Sequence, residues 1–490
     1  MLSTTENYNT ITPESLSQEM TTVKKSTPCT ATTSVILLPM TAVQNIRYDR
    51  KSLARSNWLT FPKGLHTSGY KPKSGHIPMD WKMYIHPEGA VYYVNTSSKM
   101  PVITDTPVDN PAALKKLEQG IRVVWASMVE SQMAVISNAE LYIYAEPDAD
   151  KCKYYMVDHD SQTEFWLEDA EMSSLHMSPV SSNTHLKYIL QEHYWAHVEY
   201  FPHRPVPIYV RIELIDILRH AATDHMTSDS STFPYDAEQC TKFAALVDSK
   251  NTESTTYMTC LIARIFVMIT RHKYDHFYGE ECARLSRDQS VYEWPEVKPT
   301  FAMRLCSALL FNLPKAMRRE LELLYVDKIA YTTHWRAFMC TTKKGWQENI
   351  MMCTGLLVTN ATLMGFAKYA AFTSSGLASM LLSLGGLLSG CTLLHVYGYA
   401  DRVNAGIMTV YLRDVGNNKS GFEPVAAVFT LPKALALWSI LFLFTDILTL
   451  FLAVPTFLNM IALGLISILV VASFVMMVAV LRRPSVDLMI

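Results

Sequence analysis

Apolar positions along the chain fall into three regimes. In 75–108 and again in 139–169 they alternate in short runs around turn residues, the period-two signature of strands. Ile77-Pro-Met-Asp-Trp81 leads into the turn His86-Pro-Glu-Gly89 and on to Val91-Tyr92-Tyr93-Val94-Asn95. From 170 to 345 the spacing becomes helical. Leu186, Tyr188, Ile189, Leu190, Tyr194, Trp195 and Val198 fall in one helix that ends at Phe201-Pro202, and Ile212, Ile215, Leu218 and Ala222 in the next. Asp236 is placed to cap a helix reaching Val247, and Pro314 to open one through Arg318, Arg319 and Leu321. Beyond 350 the apolar residues become nearly continuous, in segments of about 350–367, 375–397, 434–454 and 456–481. Each approaches the roughly 20 residues that cross a bilayer core. The predicted fold class is α+β and mainly α, with small β modules, a helical region and a four-helix transmembrane bundle. Residues 1–34, rich in Ser and Thr, read as a disordered tail.

Charge sharpens this division. The 490 residues carry 43 basic and 45 acidic side chains, of which only 12 lie in 351–490. A soluble enzyme of uniform composition and a wholly disordered chain are both excluded. A net charge of −2 carries no polyanion signal, so nucleic acid is not an expected partner. The nine cysteines are odd in number, scattered and without a CxxC, so neither a disulfide framework nor a zinc finger is expected. Arg336, Lys343 and Lys344 precede the first span; Arg402, Arg413, Lys419 and Lys433 lie between the second and third; Arg482 and Arg483 follow the fourth. With four spans these share one side, which places both termini in the cytoplasm.

Within the apolar region, Ser379/Ser383, Gly385/Ser389 and Gly386/Gly390 repeat at four-residue spacing, a face for close helix packing. Asp446 is an ionisable residue inside the third span, which makes it a functional candidate for ion or proton movement. His193 and His197 share a helix face at a spacing that can hold zinc, but Tyr194 stands where a metalloprotease has glutamate. No catalytic residue, metal ligand set or cofactor motif is expected.

The first alternating stretch resembles a WW domain, a small three-stranded sheet that binds proline-rich peptides. Pro78 and Trp81 match the family's N-terminal buckle, Tyr92 its groove tyrosine, and Tyr93 and Asn95 its structural positions. Ile103 and Thr96 stand where the family has its groove tryptophan and histidine. The second stretch, from Tyr154 to Trp166, resembles strands two and three of the same fold, with Tyr155, His159 and Trp166 at the groove spacing. The resemblance implies peptide binding by Tyr155, His159, Trp166 and Tyr92. Over roughly 75–490, Ala283-Arg-Leu-Ser-Arg-Asp-Gln-Ser290, Leu310-Phe-Asn-Leu-Pro314, Gly345-Trp-Gln-Glu348 and Leu431-Pro-Lys-Ala-Leu-Ala-Leu-Trp438 extend it. The chain resembles a family of multi-pass membrane proteins from mushroom-forming fungi with an N-terminal WW-like domain. The expected function is a non-enzymatic scaffold or adaptor at a membrane, its partners the lipid bilayer and proline-rich protein segments. The alternatives are an enzyme built on the helical middle and a small transporter using Asp446.

Overall fold

In the computed structural model, the described residues are 35–49, 56, 58, 63, 77–98, 100–131, 136–248, 255–294, 300–366, 374–416 and 420–452. The expected N-terminal tail and the fourth apolar segment, 456–481, lie outside them. The chain divides into two compact units at Arg287/Asp288. The helical middle expected as one region is therefore split between the units.

Among its described residues the first unit is built on seven strands: β1 (Ile36–Pro39), β2 (Trp81–Ile85), β3 (Val91–Asn95), β4 (Val102–Thr104), β5 (Ala139–Ala145), β6 (Lys151–Asp158) and β7 (Thr163–Phe165). β2-β3-β4 and β5-β6-β7 are each antiparallel meanders. At the first turn Gly89, at φ +93°, takes the left-handed conformation that lets the chain reverse. The meanders do not stand apart as separate modules. β4 pairs in parallel with β5, Val102 opposite Leu141, and α1 (Pro111–Glu130) makes the crossover. β1 adds in parallel to the edge of β6 that β7 also uses further along. The result is one mixed sheet.

Strand alternation gives this sheet two apolar faces. Trp81, Tyr93, Val102, Leu141, Ile143, Tyr154 and Met156 face α1. Asn110 caps that helix through the backbone N–H groups of Ala112 and Ala113, with Pro111 at its first position. Gly120 allows the close approach: a Cβ there would stand 2.7 Å from Cys152 Sγ. Tyr92, Val94, Ile103, Tyr142, Tyr155 and Val157 point the other way. They meet α2 (Asn183–Tyr200), and α3 (Ile208–Thr227), α4 (Ala237–Val247) and α5 (Thr256–Asp275) complete this apolar layer, α5 directly against α2 and α3 against α4. The expected Asp236 cap forms, as a reciprocal box with Gln239.

The second unit is helical among the described residues: α6 (Phe301–Leu309), α7 (Leu313–Leu323), α8 (Thr332–Phe366), α9 (Ser374–Val396), α10 (Ala405–Gly416) and α11 (Glu423–Leu452). Among the described residues two stretches are long and apolar enough to cross a membrane, Ser374–Arg402 and Glu423–Thr449. They overlap the expected second and third spans, the latter beginning eleven residues earlier than expected. The expected first span is the second half of α8, which carries Thr354, Thr359, Asn360 and Thr362 and is less apolar.

Candidate functional site

The face of the sheet under α2 is rich in aromatic and titratable groups. On β5, alternation turns Leu141 and Ile143 towards α1 and Glu140, Tyr142 and Tyr144 towards α2. α2 supplies His193, Tyr194 and His197 to the same layer. Just beyond it, the chain turns at Phe201, and Nδ1–H of His203 donates to the Phe201 carbonyl at 2.8 Å.

These elements converge on one carboxylate. Glu140 is buried, and four side chains surround it. His159 Nε2 and His197 Nε2 each lie 3.3 Å from Oε2, and His203 Nε2 lies 3.3 Å from Oε1. Arg204 Nη1 donates to Oε1 at 3.1 Å, while its Nη2 donates to Asn138 Oδ1 at 2.7 Å. A second ring of contacts orients the imidazoles. Tyr155 O–H meets His197 Nδ1 at 3.0 Å, and Tyr194 O–H meets His159 Nδ1 at 3.1 Å. Donation by Tyr155 leaves His197 as the Nε2–H tautomer, turned to the carboxylate.

Burial pushes the Glu140 carboxyl up, but the three imidazoles around it hold it well below the usual carboxylate range. His197 is pushed down to about 4, because burial outweighs the help of the Glu140 charge. At neutral pH Glu140 is therefore ionised and His197 neutral, with the Arg204 guanidinium set against the carboxylate. The Arg204 side chain is 42% exposed, so one side of the cluster reaches water.

Two further polar groups continue the layer. His193 meets Glu164 at 2.9 Å, and Glu164 also accepts from the Ala42 N–H at 2.7 Å. Arg47 reaches Asp105 at 3.3 Å and donates to the Tyr200 carbonyl at 2.5 Å. Asn45 and the Tyr142 hydroxyl donate to Asp105 as well, both at 3.1 Å. Among the described residues the Tyr92 hydroxyl and Arg47 Nε find no hydrogen-bond partner.

The residues singled out as a peptide groove sit inside this layer. Tyr155 and Tyr92 are fully buried. Tyr155 stacks on Tyr142 at 4.8 Å, and Tyr92 stacks on Tyr84 at 5.5 Å with Phe201 against its edge. Trp166 is half-buried, and its indole donates to the Met40 carbonyl at 2.7 Å. α2 packs over the face that carries Tyr155 and Tyr92. The buckle positions lie on the opposite face or at its margin. Trp81 is buried opposite Asn95, its N–H donates to the Pro78 carbonyl at 3.0 Å, and Tyr93 packs in the α1 core. Asn95 Oδ1 accepts from the Ser97 N–H at 2.9 Å.

His193 and His197, a spacing suited to zinc, turn to different carboxylates. Among the described residues no group of three or more His, Cys, Asp or Glu side chains is arranged to hold a metal ion. Cys260 Sγ lies 3.7 Å from His86 Nε2, but that nitrogen also meets the Glu199 carbonyl at 2.9 Å. The ring thus presents an N–H rather than a base, and burial pushes the thiol up to about 11. This pair makes no activated nucleophile. A surface pocket of about 260 Å³, between Met40, Tyr144 and Pro147, opens at the far end of β5 from Glu140.

In the helical unit, α9 turns Gly376, Ser379, Ser383, Gly386 and Gly390 inwards. The Ser379 and Ser383 hydroxyls meet Ser439 Oγ of α11 at 3.0 and 2.5 Å, and Asn360 of α8 donates to Ser379 at 3.0 Å. Asp446 is buried against Gly376 and accepts from Ser375 Oγ at 3.3 Å. Of the expected small-residue pairs, Ser379/Ser383 and Gly386/Gly390 lie in this seam, whereas Gly385/Ser389 lies off the buried face.

Glu140, His203, Arg204 and Glu164 carried no motif in the sequence. The available signal was a glutamate alternating with two tyrosines on one strand face. No protein-family model, no curated protein and no solved structure matches this chain.

Proposed function

We propose that the protein is a multi-pass membrane protein whose α/β head acts as a non-enzymatic interaction scaffold in the cytoplasm. One observation carries the membrane part of this reading. The α8–α9–α11 bundle is polar inside and apolar outside. Asn360, Ser379, Ser383, Ser439 and Asp446 are buried, whereas Met351, Val358, Leu377, Leu381, Leu388 and Leu441 are exposed. Water would penalise that distribution; hydrocarbon favours it. The fourth apolar segment and the loop charges support four spans with cytoplasmic termini.

For the head, the resemblance to WW-bearing fungal membrane proteins supports a role in protein binding. The meander order of β2-β3-β4 and β5-β6-β7 agrees with it. The aromatic faces are filled from within the chain, so the partner surface lies elsewhere. Exposed Ile208, Tyr209 and Ile212 at the start of α3 supply an apolar row of the kind partners use. The experiment is alkaline extraction combined with protease protection of the full chain. Retention in the membrane with a cytoplasmic, protease-accessible head supports the reading. Release by alkali, or a head protected inside the lumen, overturns it.

A further inference from the structure

Helix α6 buries none of its residues. Phe301, Leu305 and Leu309 are nevertheless 83%, 53% and 54% exposed. Their spacing of four residues confines them to an arc of about 80° on one side of the helix. Exposed apolar residues of this size and regularity require a cover.

The C-terminal end of α6 is fastened to α11. Trp438 Nε1 donates to the Leu309 carbonyl at 2.7 Å, and the Phe311 ring lies 5.0 Å from the indole. Within α11 the uncharged apolar run opens at Ala434, after exposed Lys433, and Trp438 stands five residues beyond that charge. At 1.5 Å per residue, that is about 7.5 Å further along the helix. Amphipathic helices that lie in a membrane interface sit about 5–10 Å into the boundary between headgroups and acyl chains. Tryptophan is itself favoured at that level. Exposed Arg304 lies beside the apolar arc, and Lys315 and Arg319 are exposed on α7. These cations suit a layer of anionic headgroups.

We propose that α6 is an interfacial helix that inserts Phe301, Leu305 and Leu309 into the bilayer beside α11, with Arg304 among anionic phosphates. This rests on the membrane reading above. The full-length chain is reconstituted into phosphatidylcholine vesicles containing phosphatidylserine. A benzophenone amino acid replaces Phe301, Leu305 or, as a control in the head, exposed Met226. The expected result is several-fold more lipid adduct at 301 and 305 than at 226. Adducts no greater than the control, or formed only with the chain's own 456–481 segment, would overturn the proposal while alkali-resistant insertion leaves the membrane reading intact. Release of the chain by alkali would overturn both.

Discussion

Glu140 Oε2 and His197 Nε2 face each other at 3.3 Å across the boundary between sheet and helix, with both side chains 1% exposed. This contact joins β5 to α2 within a polar cluster that includes two more imidazoles and one guanidinium. Its energetics follow from which members can regain water when the other is removed.

Replacing the carboxylate exposes that asymmetry. Glu140→Gln removes the charge and sets an amide NH2 donor where a carboxylate oxygen faced imidazole or guanidinium N–H groups, and is expected to cost about 2–3 kcal/mol. Arg204→Gln should cost less, because the half-exposed guanidinium already has water on one side. Urea unfolding of the two variants checks the order; an equal or reversed loss would show that the cluster is not the carboxylate's support.

Acid should loosen the head through His197. Its folded value, about 4, lies below the ordinary histidine value of 6.5. The unfolded chain therefore binds more protons between these limits, so stability falls as pH drops through that window. The full effect is on the order of 3 kcal/mol. The Glu140 carboxyl, also lowered, adds a loss in the same direction at more acid pH. His197→Gln should flatten the dependence of the unfolding temperature on pH between 6.5 and 4; an unchanged slope would remove His197 from the account.

The covered aromatic face makes a direct prediction about peptides. Millimolar proline-rich peptide should leave the Trp166 environment unchanged in the intact chain, since Tyr155 and Tyr92 have no open side. Tyr155→Phe, by contrast, removes the hydrogen bond to His197 and should cost about 1 kcal/mol. Peptide binding that disappears in Trp166→Ala would point to an open groove instead.

Packing of the bundle can be tested at two glycines. A Cβ at Gly386 would stand 2.6 Å from Cys353 Sγ and 3.3 Å from the Pro432 carbonyl. Gly386→Val should cost about 1–3 kcal/mol through overpacking. Gly355 has nothing within 4 Å of such an atom, so Gly355→Ala should be neutral or stabilising. Thermal unfolding in detergent separates the two; equal sensitivity would argue against the seam.

Much of the local structure is set by near-neighbour chemistry. Alternation around His86-Pro-Glu-Gly89, the Asp236 box and the apolar spacing of α2 and α3 depend on residues a few positions apart, so they are visible in the chain itself. The charge deficit after 350 and the Gly/Ser repeat of α9 are visible for the same reason, since composition and period suffice to mark an apolar bundle. What pairs with what is decided by contacts distant in sequence. The sequence shows two short meanders, but the parallel β4–β5 ladder that merges them depends on α1 folding the chain back across 39 residues, from Val102 to its partner Leu141. Tyr155, His159 and Trp166 have groove spacing along the strand, yet whether that face meets a ligand or a helix depends on where α2 docks. Glu140 becomes the centre of a cluster only because His159, His197, His203 and Arg204 arrive from three other segments. Spacing along a strand is local; burial is a property of everything that packs on it.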